Sequence, residues 1–180
     1  MKAAGTSQKA WRLEQVVSGG QTGVDRAALD VALEMGLTCG GWCPKGRRAE
    51  DGSIPAKYPL RESPTTNYAE RTALNVKDSQ GTLILTRGSL RGGTALTKTF
   101  AERYHRPCLV VDLRDATTQL IQGWLVENSV RVLNVAGPRE SSQPGIACQA
   151  AAFLRSLFGS TSPKHKPKAA AKITRSRVLT

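Results

Sequence analysis

Ser18-Gly-Gly-Gln-Thr-Gly-Val-Asp-Arg26 is the stretch that decides the fold. It follows a short apolar run at residues 14–18 and leads into a segment, Val24 to Met35, whose apolar residues recur at helical spacing. Glycines let the backbone of such a turn approach a ligand closely, and the helix that follows offers free N–H groups and a positive dipole end. The stretch therefore predicts a strand–turn–helix unit whose chemistry suits a phosphate.

The glycine spacing of this turn is close to a dinucleotide-binding fingerprint but departs from it. No carboxylate follows about 20 residues later, where the chain reads Gly40-Gly-Trp-Cys-Pro44. The lysine of a P-loop is absent as well. The turn thus does not favour NAD, and a plain tight turn that feeds a helix is the alternative to ligand binding.

The rest of the chain alternates apolar strands with amphipathic helices. We predict further strands at residues 37–42, 81–86, 107–112 and 130–136, and further helices at residues 67–78, 92–104, 116–128 and 145–158. The strands are near-continuous runs of Val, Leu and Ile, which is typical of strands buried on both faces. The pattern predicts a Rossmann-like α/β protein, a three-layer sandwich with a mostly parallel sheet.

The ends of the chain differ from its middle in charge. The net charge is +12, but nine of the 26 Lys and Arg residues lie before residue 13 or after residue 158, where there is no acid, so residues 13–158 carry only +3. We predict a disordered basic N-terminus at 1–13, one ligand-binding domain at 14–158 and a disordered basic tail at 159–180. The tail is interpreted as solubilising, with nucleic-acid binding as the alternative.

The sequence also indicates where the protein is located and whether it binds a metal. No apolar run approaches the roughly 20 residues that span a bilayer, and the N-terminus lacks the apolar core of a secretory signal. The four cysteines and two histidines do not have zinc-site spacing. We therefore predict a cytoplasmic protein with structural thiols, no membrane partner and no intrinsic metal site.

Two more glycine-rich or polar turns follow predicted strands. They are Arg87-Gly-Ser-Leu-Arg-Gly-Gly-Thr94 and Asn134-Val-Ala-Gly-Pro-Arg-Glu-Ser-Ser142. In open α/β sheets, ligands bind beyond the carboxyl ends of the strands. Arg139 can make a bidentate contact with a phosphate, and its alternative is a surface ion pair with Glu140 or another acid. Thr94 can cap the helix after it, which is its alternative role.

Residues 43–66 form a long segment without periodicity. Segments of more than about 15 such residues are usually functional or disordered. This one can fold over a planar anionic ligand, or it is a solvated charged loop. The side chains that it would bring are Lys45, Arg47, Arg48, Tyr58 and Arg61, together with Trp42 just before it.

The predicted ligand-binding residues come from the three turns and the long segment. They are Gly19, Gly20, Gln21, Thr22, Gly23, Asp25, Lys45, Arg47, Arg48, Gly88, Ser89, Gly92, Gly93, Thr94, Gly137, Pro138, Arg139, Glu140 and Ser141. Asp25 can equally serve as a charge at a helix N-terminus. No Ser/His/Asp or Cys/His arrangement stands out, so the sequence assigns no catalytic residue.

Four motifs in order resemble the molybdenum cofactor (molybdopterin) carrier family. They are Ser18–Leu29, Gly41–Gly52, Gly92–Thr94 and Asn134–Ser141, and the resemblance covers residues 15–158. That family is a circularly permuted, YpsA-like branch of the SLOG superfamily of Rossmann-like nucleotide-ligand binders. The resemblance implies a circularly permuted SLOG-type fold in which the first and last of these motifs line one site.

The resemblance implies a protein that binds the molybdenum cofactor, or a related nucleotide, as cargo. It implies molybdoenzymes as recipients and a homo-oligomer, either a dimer or a tetramer. One alternative is a nucleotide phosphoribohydrolase of the related LOG branch, but Thr97 stands where that branch has its Glu, so we lean against an enzyme. Another is DNA binding, as in DNA-processing protein A, which the small charge of the core does not favour.

Overall fold

A computed structural model describes residues 11–161 as alternating strands and helices. The strands are β1 (Gln15–Val17), β2 (Thr38–Gly40), β3 (Trp42–Cys43), β4 (Arg48–Ala49), β5 (Gly52–Ser53), β6 (Arg61–Glu62), β7 (Gly81–Thr86), β8 (Cys108–Asp112) and β9 (Val132–Ala136). The helices are α1 (Val24–Glu34), α2 (Tyr68–Lys77), α3 (Gly92–Arg103), α4 (Thr118–Glu127) and α5 (Ile146–Thr161). None of these helices is both long and apolar enough to cross a membrane.

The central sheet of the described chain has five strands in the order β2-β1-β9-β7-β8, and every neighbouring pair is parallel. The last strand, β9, lies between β1 and β7, with Val17 opposite Asn134. Because the carboxyl ends of parallel strands share one edge of a sheet, the turns after β1, β7 and β9 meet there. The predicted Rossmann-like α/β class is confirmed.

Helices cover both faces of the sheet and complete three layers. Helix α5 packs against α1 and α4, while α2 packs against α3. The main core lies between the sheet and the α1–α4–α5 layer, and it includes Leu83, Leu133 and Leu154, all fully buried. Each such side chain contributes about 1.5–3 kcal/mol when removed from water.

The folded unit extends beyond the predicted domain limits. Leu13 is only 3 % exposed and belongs to the main core, and Trp11 packs against that core. At the other end, α5 continues to Thr161. The domain therefore begins before residue 14 and passes residue 159. The rest of the two ends predicted to be disordered, residues 1–10 and 162–180, lies outside the described residues.

Residues 37–66 fold differently from the prediction. The predicted strand at 37–42 is two strands, because the chain leaves the central sheet after β2 and β3 pairs with β6. Strands β4 and β5 form an antiparallel hairpin. Tyr58, Ile54 and Leu60 build a small second core with Leu29 and Cys43. The segment is thus a packed unit and not an irregular loop.

Arg47 holds this unit together through backbone carbonyls. Its guanidinium donates to the carbonyl oxygens of Ile54 (3.0 Å), Leu60 (3.2 Å), Pro55 (2.9 Å) and Tyr58 (3.0 Å). Those hydrogen bonds use the donors that a ligand would need. The structure therefore corrects the prediction that Arg47 binds ligand.

We expect Arg47→Ala to destabilise the protein because it strands four carbonyl oxygens. Hydrogen bonds to a charged donor contribute about 1.5–3 kcal/mol each. Because Arg47 is only half-buried and water can reach the freed carbonyl oxygens, we expect a net loss of about 2 kcal/mol. Thermal unfolding and limited proteolysis between residues 54 and 60 would measure it. The control is Arg48→Ala at the exposed neighbour, which should stay within about 0.5 kcal/mol of wild type. Equal stability of the two variants would contradict this role.

Candidate functional site: an arginine-lined pocket at the carboxyl edge of the sheet

A pocket of about 620 Å³ opens at the carboxyl ends of β7 and β9 and beside the turn after β1. Thr86 and Ala136 end the two strands at its base. One wall is the first turn of α3 and the other is the inward face of α2. The pocket lies where ligands bind in open α/β sheets.

The turns after β1 and β9 touch each other beside this pocket. The backbone N–H of Val24 donates to the carbonyl oxygen of Pro138 (3.2 Å), and that of Glu140 donates to the hydroxyl of Thr22 (3.3 Å). Gly23 has a φ of +79°, and a Cβ there would overlap the Pro138 oxygen and lie 2.8 Å from the Glu140 nitrogen. The two turns, far apart in sequence, thus lie side by side, as the family resemblance implies.

Positive charge dominates the pocket wall. In the described part of the chain, four arginines line it, namely Arg71, Arg87, Arg91 and Arg139. The guanidinium of Arg139 lies 5.1 Å from the ring centre of Tyr68, a cation–π contact. Such a cleft concentrates anions.

Two buried donors in the pocket wall have no partner among residues 11–161. They are Nε2 of Gln21, a residue that is 3 % exposed, and Nε of Arg71. The side-chain oxygen of Gln21 accepts from the backbone N–H of Glu50 (2.9 Å), which fixes the amide. An unmatched buried donor costs about 1–3 kcal/mol, which an acceptor atom within its reach would offset.

The first turn of α3 presents backbone N–H groups to the pocket. Its N-cap residue, Arg91, makes no side-chain hydrogen bond to the helix, and Gly92 and Gly93 are exposed there. Thr94 lies inside the helix and is buried, so the alternative that it caps α3 is wrong. The helix dipole and these amides attract an anion, and the glycines leave it room.

Asp25 and Arg71 form a buried ion pair at the pocket. Nη1 of Arg71 lies 3.1 Å from Oδ2 of Asp25, and the two side chains are 13 % and 7 % exposed. Burial raises the pKa of Asp25, although Arg71 beside it acts in the opposite direction. A Cβ on Gly19 would overlap the Arg71 guanidinium. Gly19 therefore makes room for this ion pair.

Glu50 ties the packed unit at 43–66 to both turns. Its carboxylate accepts from the hydroxyls of Thr22 and Ser141 and from the backbone N–H of Ser141 (3.2 Å). Burial acts the other way, but these hydrogen bonds hold the pKa of Glu50 below its usual value. Glu50 thus fixes the position of Gln21 and of the turns after β1 and β9 relative to one another.

The structure brings ten of the predicted residues into the pocket wall: Gln21, Asp25, Gly88, Ser89, Gly92, Gly93, Thr94, Gly137, Pro138 and Arg139. Four others, Thr22, Gly23, Glu140 and Ser141, line a neighbouring groove beside α1 and α5. Gly19 and Gly20 lie behind the wall, since side chains of Arg71 and Leu60 occupy the space beside them. Lys45, Arg47 and Arg48 do not line the pocket.

Glu140 serves the fold and not the pocket. Its carboxylate accepts from the backbone N–H groups of Gly145 and Ala147 (3.0 Å) and so caps α5. Since Arg139 lies over Tyr68, the alternative of an Arg139–Glu140 ion pair is wrong.

The predicted stacking residues are elsewhere in the protein. Tyr58 is 2 % exposed, and its hydroxyl donates to Asp30 (2.9 Å). The indole of Trp42 donates to Asp78 (2.7 Å) and carries Arg61 over its ring. Among the described residues, the aromatic side chain that lines the pocket is that of Tyr68.

Sequence reasoning missed several residues of the pocket wall: Tyr68, Arg71, Thr72, Arg87, Arg91, Ser142 and Gln143. Arg87 and Arg91 lie within a turn that the sequence singles out, so their positive charge in that turn could have predicted that they line the pocket. Gln143 anchors that turn, because its amide oxygen accepts from the N–H of Arg87 (3.0 Å) and its amide nitrogen donates to the Arg87 carbonyl (2.9 Å). Within residues 11–161, no three His, Cys, Asp or Glu side chains come together as a metal-binding group.

The parallel sheet, its strand order and the pocket at its carboxyl edge define a Rossmann-like α/β protein. The chain belongs to the circularly permuted YpsA SLOG family, whose family model matches residues 16–158. It is similar to a solved structure from Syntrophus aciditrophicus SB whose provisional name is molybdenum carrier protein. That similarity has 47 % sequence identity, covers 82 % of this chain and 95 % of the other, and has a TM-score of 0.79. No curated relative matches the chain.

Proposed function

We propose that the protein binds and carries a phosphate-bearing small molecule with a flat ring, namely the molybdenum cofactor or a related nucleotide-like compound. The observation that carries this proposal is Gln21, a buried residue of the pocket wall whose Nε2 has no partner among residues 11–161, in a pocket lined by four arginines. The name of the similar Syntrophus protein supports the cofactor as the cargo. In this role the recipients are molybdoenzymes, and we expect a cytoplasmic homo-oligomer, a dimer or tetramer.

The phosphate is assigned to the first turn of α3. The amides there, the exposed Gly92 and Gly93, and the cations Arg91 and Arg139 supply the charge and the donors that a phosphate needs. Tyr68 offers a flat surface for a ring beside that position. The cargo would be held without any covalent step.

The residue at position 97, on the face of α3 that lines the pocket, favours binding over hydrolysis. Thr97 occupies the position of the hydrolase Glu, and its hydroxyl donates to the carbonyl of Gly93 (2.9 Å). A threonine whose proton is held by its own helix supplies no general acid or carboxylate. The carboxylate that does line the described pocket wall, Asp25, is already paired with Arg71, so this wall supports a carrier.

Thermal unfolding of the purified protein tests the proposal against a panel of ligands. The panel is the molybdenum cofactor, molybdopterin, molybdate, AMP, GMP, NAD and inorganic phosphate. A ligand at 100 times its Kd adds about 2.7 kcal/mol, which raises the Tm by several degrees. We expect a rise with the cofactor and molybdopterin and none with molybdate. Release of a free base from a nucleotide would point to a hydrolase instead.

We expect Gln21→Glu to weaken binding of the phosphate-bearing ligand by about tenfold or more, because it replaces the free donor with a carboxylate oxygen. The variant keeps the oxygen that accepts from Glu50, so the turn itself stays anchored. Its matched control is Gln80→Glu, remote from the pocket, where the side-chain oxygen likewise accepts from backbone N–H groups of Arg131 and Val132. Isothermal titration compares the two. Unchanged affinity in Gln21→Glu would remove the main support for the proposal.

A further inference from the structure

We infer that Asp25, flanked by Gln21 and Arg71, reads the hydrogen-bonding edge of the ligand's ring and selects a 2-amino-4-oxo pyrimidine edge, the one shared by pterins and guanine. This inference rests on the proposed function and names the part of the ligand that sets specificity. It assigns a purpose to a buried carboxylate that phosphate binding leaves unexplained.

Asp25 is the single carboxylate among the described residues that line the pocket. A carboxylate repels a phosphate and weakens the field of the four arginines. Burial also raises the pKa of Asp25, so ionising this group inside the pocket costs free energy. Side chains held at a cost inside a pocket are candidates for ligand recognition.

Asp25 is an acceptor in a pocket wall that also carries free donors. Its Oδ2 accepts from Nη1 of Arg71 (3.1 Å), and the nearby backbone of Gln21 acts, like Arg71, to lower the pKa that burial raises. A carboxylate has about four lone-pair positions, so acceptor capacity remains. Two residues of the same pocket wall also carry donors without a partner among residues 11–161, namely Nε2 of Gln21 and Nε of Arg71.

A 2-amino-4-oxo pyrimidine edge complements this arrangement. It presents two adjacent N–H donors, which suit a carboxylate, next to a carbonyl oxygen, which suits a donor such as the Gln21 amide. The adenine edge has an amino donor beside a ring nitrogen acceptor and cannot offer two adjacent N–H groups. The pocket should therefore distinguish two nucleotides that carry the same ribose and phosphate.

The competing explanation is that Asp25 only positions Arg71. A structural role of that kind would affect all phosphate-bearing ligands alike. A change of base preference would not follow from it. The test therefore compares nucleotides that differ only in the base.

The experiment is titration of GMP, AMP and xanthosine monophosphate (XMP) into the full chain and its variants. In wild type we expect GMP to bind about tenfold or more tightly than AMP or XMP, which is the discrimination of a bidentate hydrogen-bond pair. Asp25→Asn replaces one acceptor with an N–H donor, and XMP has an oxygen in place of the 2-amino group. We therefore expect Asp25→Asn to lose affinity for GMP and to prefer XMP.

Asp51→Asn is the matched control, because Asp51 pairs with Arg26 outside this pocket. It should keep the wild-type order of nucleotides. If Asp25→Asn does not fold, the affinities of wild type still test the inference. Inosine monophosphate lacks the 2-amino group, so wild type should bind it more weakly than GMP.

The inference would be overturned if wild type bound GMP, AMP and inosine monophosphate equally and inorganic phosphate displaced all three. That result would leave the proposed function standing. Binding of the molybdenum cofactor without any binding of GMP would also overturn it. If neither the cofactor nor any nucleotide binds, the proposed function fails, and the inference fails with it.

Discussion

Gly23→Ala is expected to lower the free energy of unfolding by about 3–5 kcal/mol, since it adds backbone strain to a steric overlap. The residue has a φ of +79°, and its missing Cβ is what allows the turn after β9 to lie against the turn after β1. The new methyl group would meet the backbone of Pro138, Arg139 and Glu140. Backbone atoms cannot move aside as a flexible side chain can.

Urea denaturation of Gly23→Ala measures this loss, and Gly36→Ala is its matched control. Gly36 also has a positive φ, +68°, but a Cβ there would meet no atom within 4 Å among the described residues. The control should lose only the conformational penalty of about 1–2 kcal/mol. Equal losses in the two variants would mean that the contact between the turns is not tight.

Arg71→Met is expected to cost about 3–5 kcal/mol at neutral pH, because it leaves Asp25 as an uncompensated buried charge. Arg71→Met/Asp25→Asn should recover much of the loss, since it removes the stranded charge. The control is Arg131→Met, which breaks the exposed pair with Glu14 (3.0 Å) and should cost at most about 1 kcal/mol. Urea denaturation of the four proteins measures all three changes.

The penalty of Arg71→Met should grow as the pH rises. Burial already raises the pKa of Asp25, and loss of the guanidinium raises it further. A folded-state pKa above the unfolded value means that the folded protein binds this proton more tightly. The contribution of Asp25 to stability is then fully present below its unfolded pKa and is lost as the pH rises through its folded pKa. A loss that is the same at pH 5 and pH 8 would contradict the assignment of a buried charge.

Much of the fold could be predicted from the sequence because its signals are local. Apolar runs and helical periodicity locate the main-sheet strands and the five helices, and alternation of the two predicts the parallel sheet. The turns after β1, β7 and β9 could be expected at one edge because carboxyl ends of parallel strands meet. Ten predicted residues duly line the pocket.

The rest depends on packing between distant parts of the chain. Tyr68 and Arg71 line the pocket because α2 packs beside α3, and the sequence of α2 does not say which of its faces turns inward. The hydroxyl of Tyr58 donates to Asp30, so the Tyr58 ring can be buried in the second core. Arg47 donates to four carbonyl oxygens of its own segment, so the segment predicted as a basic loop is a packed structural unit.

Molybdenum retained by the protein after incubation with the cofactor tests the central claim most directly. The cofactor is released without oxygen from a molybdoenzyme, and bound molybdenum is measured after gel filtration. We predict stoichiometric retention by wild type and by Gln80→Glu, little by Gln21→Glu/Arg139→Ala, and none from molybdate alone. No retention by wild type, or equal retention by the double variant, would contradict the claim that this pocket carries the cofactor.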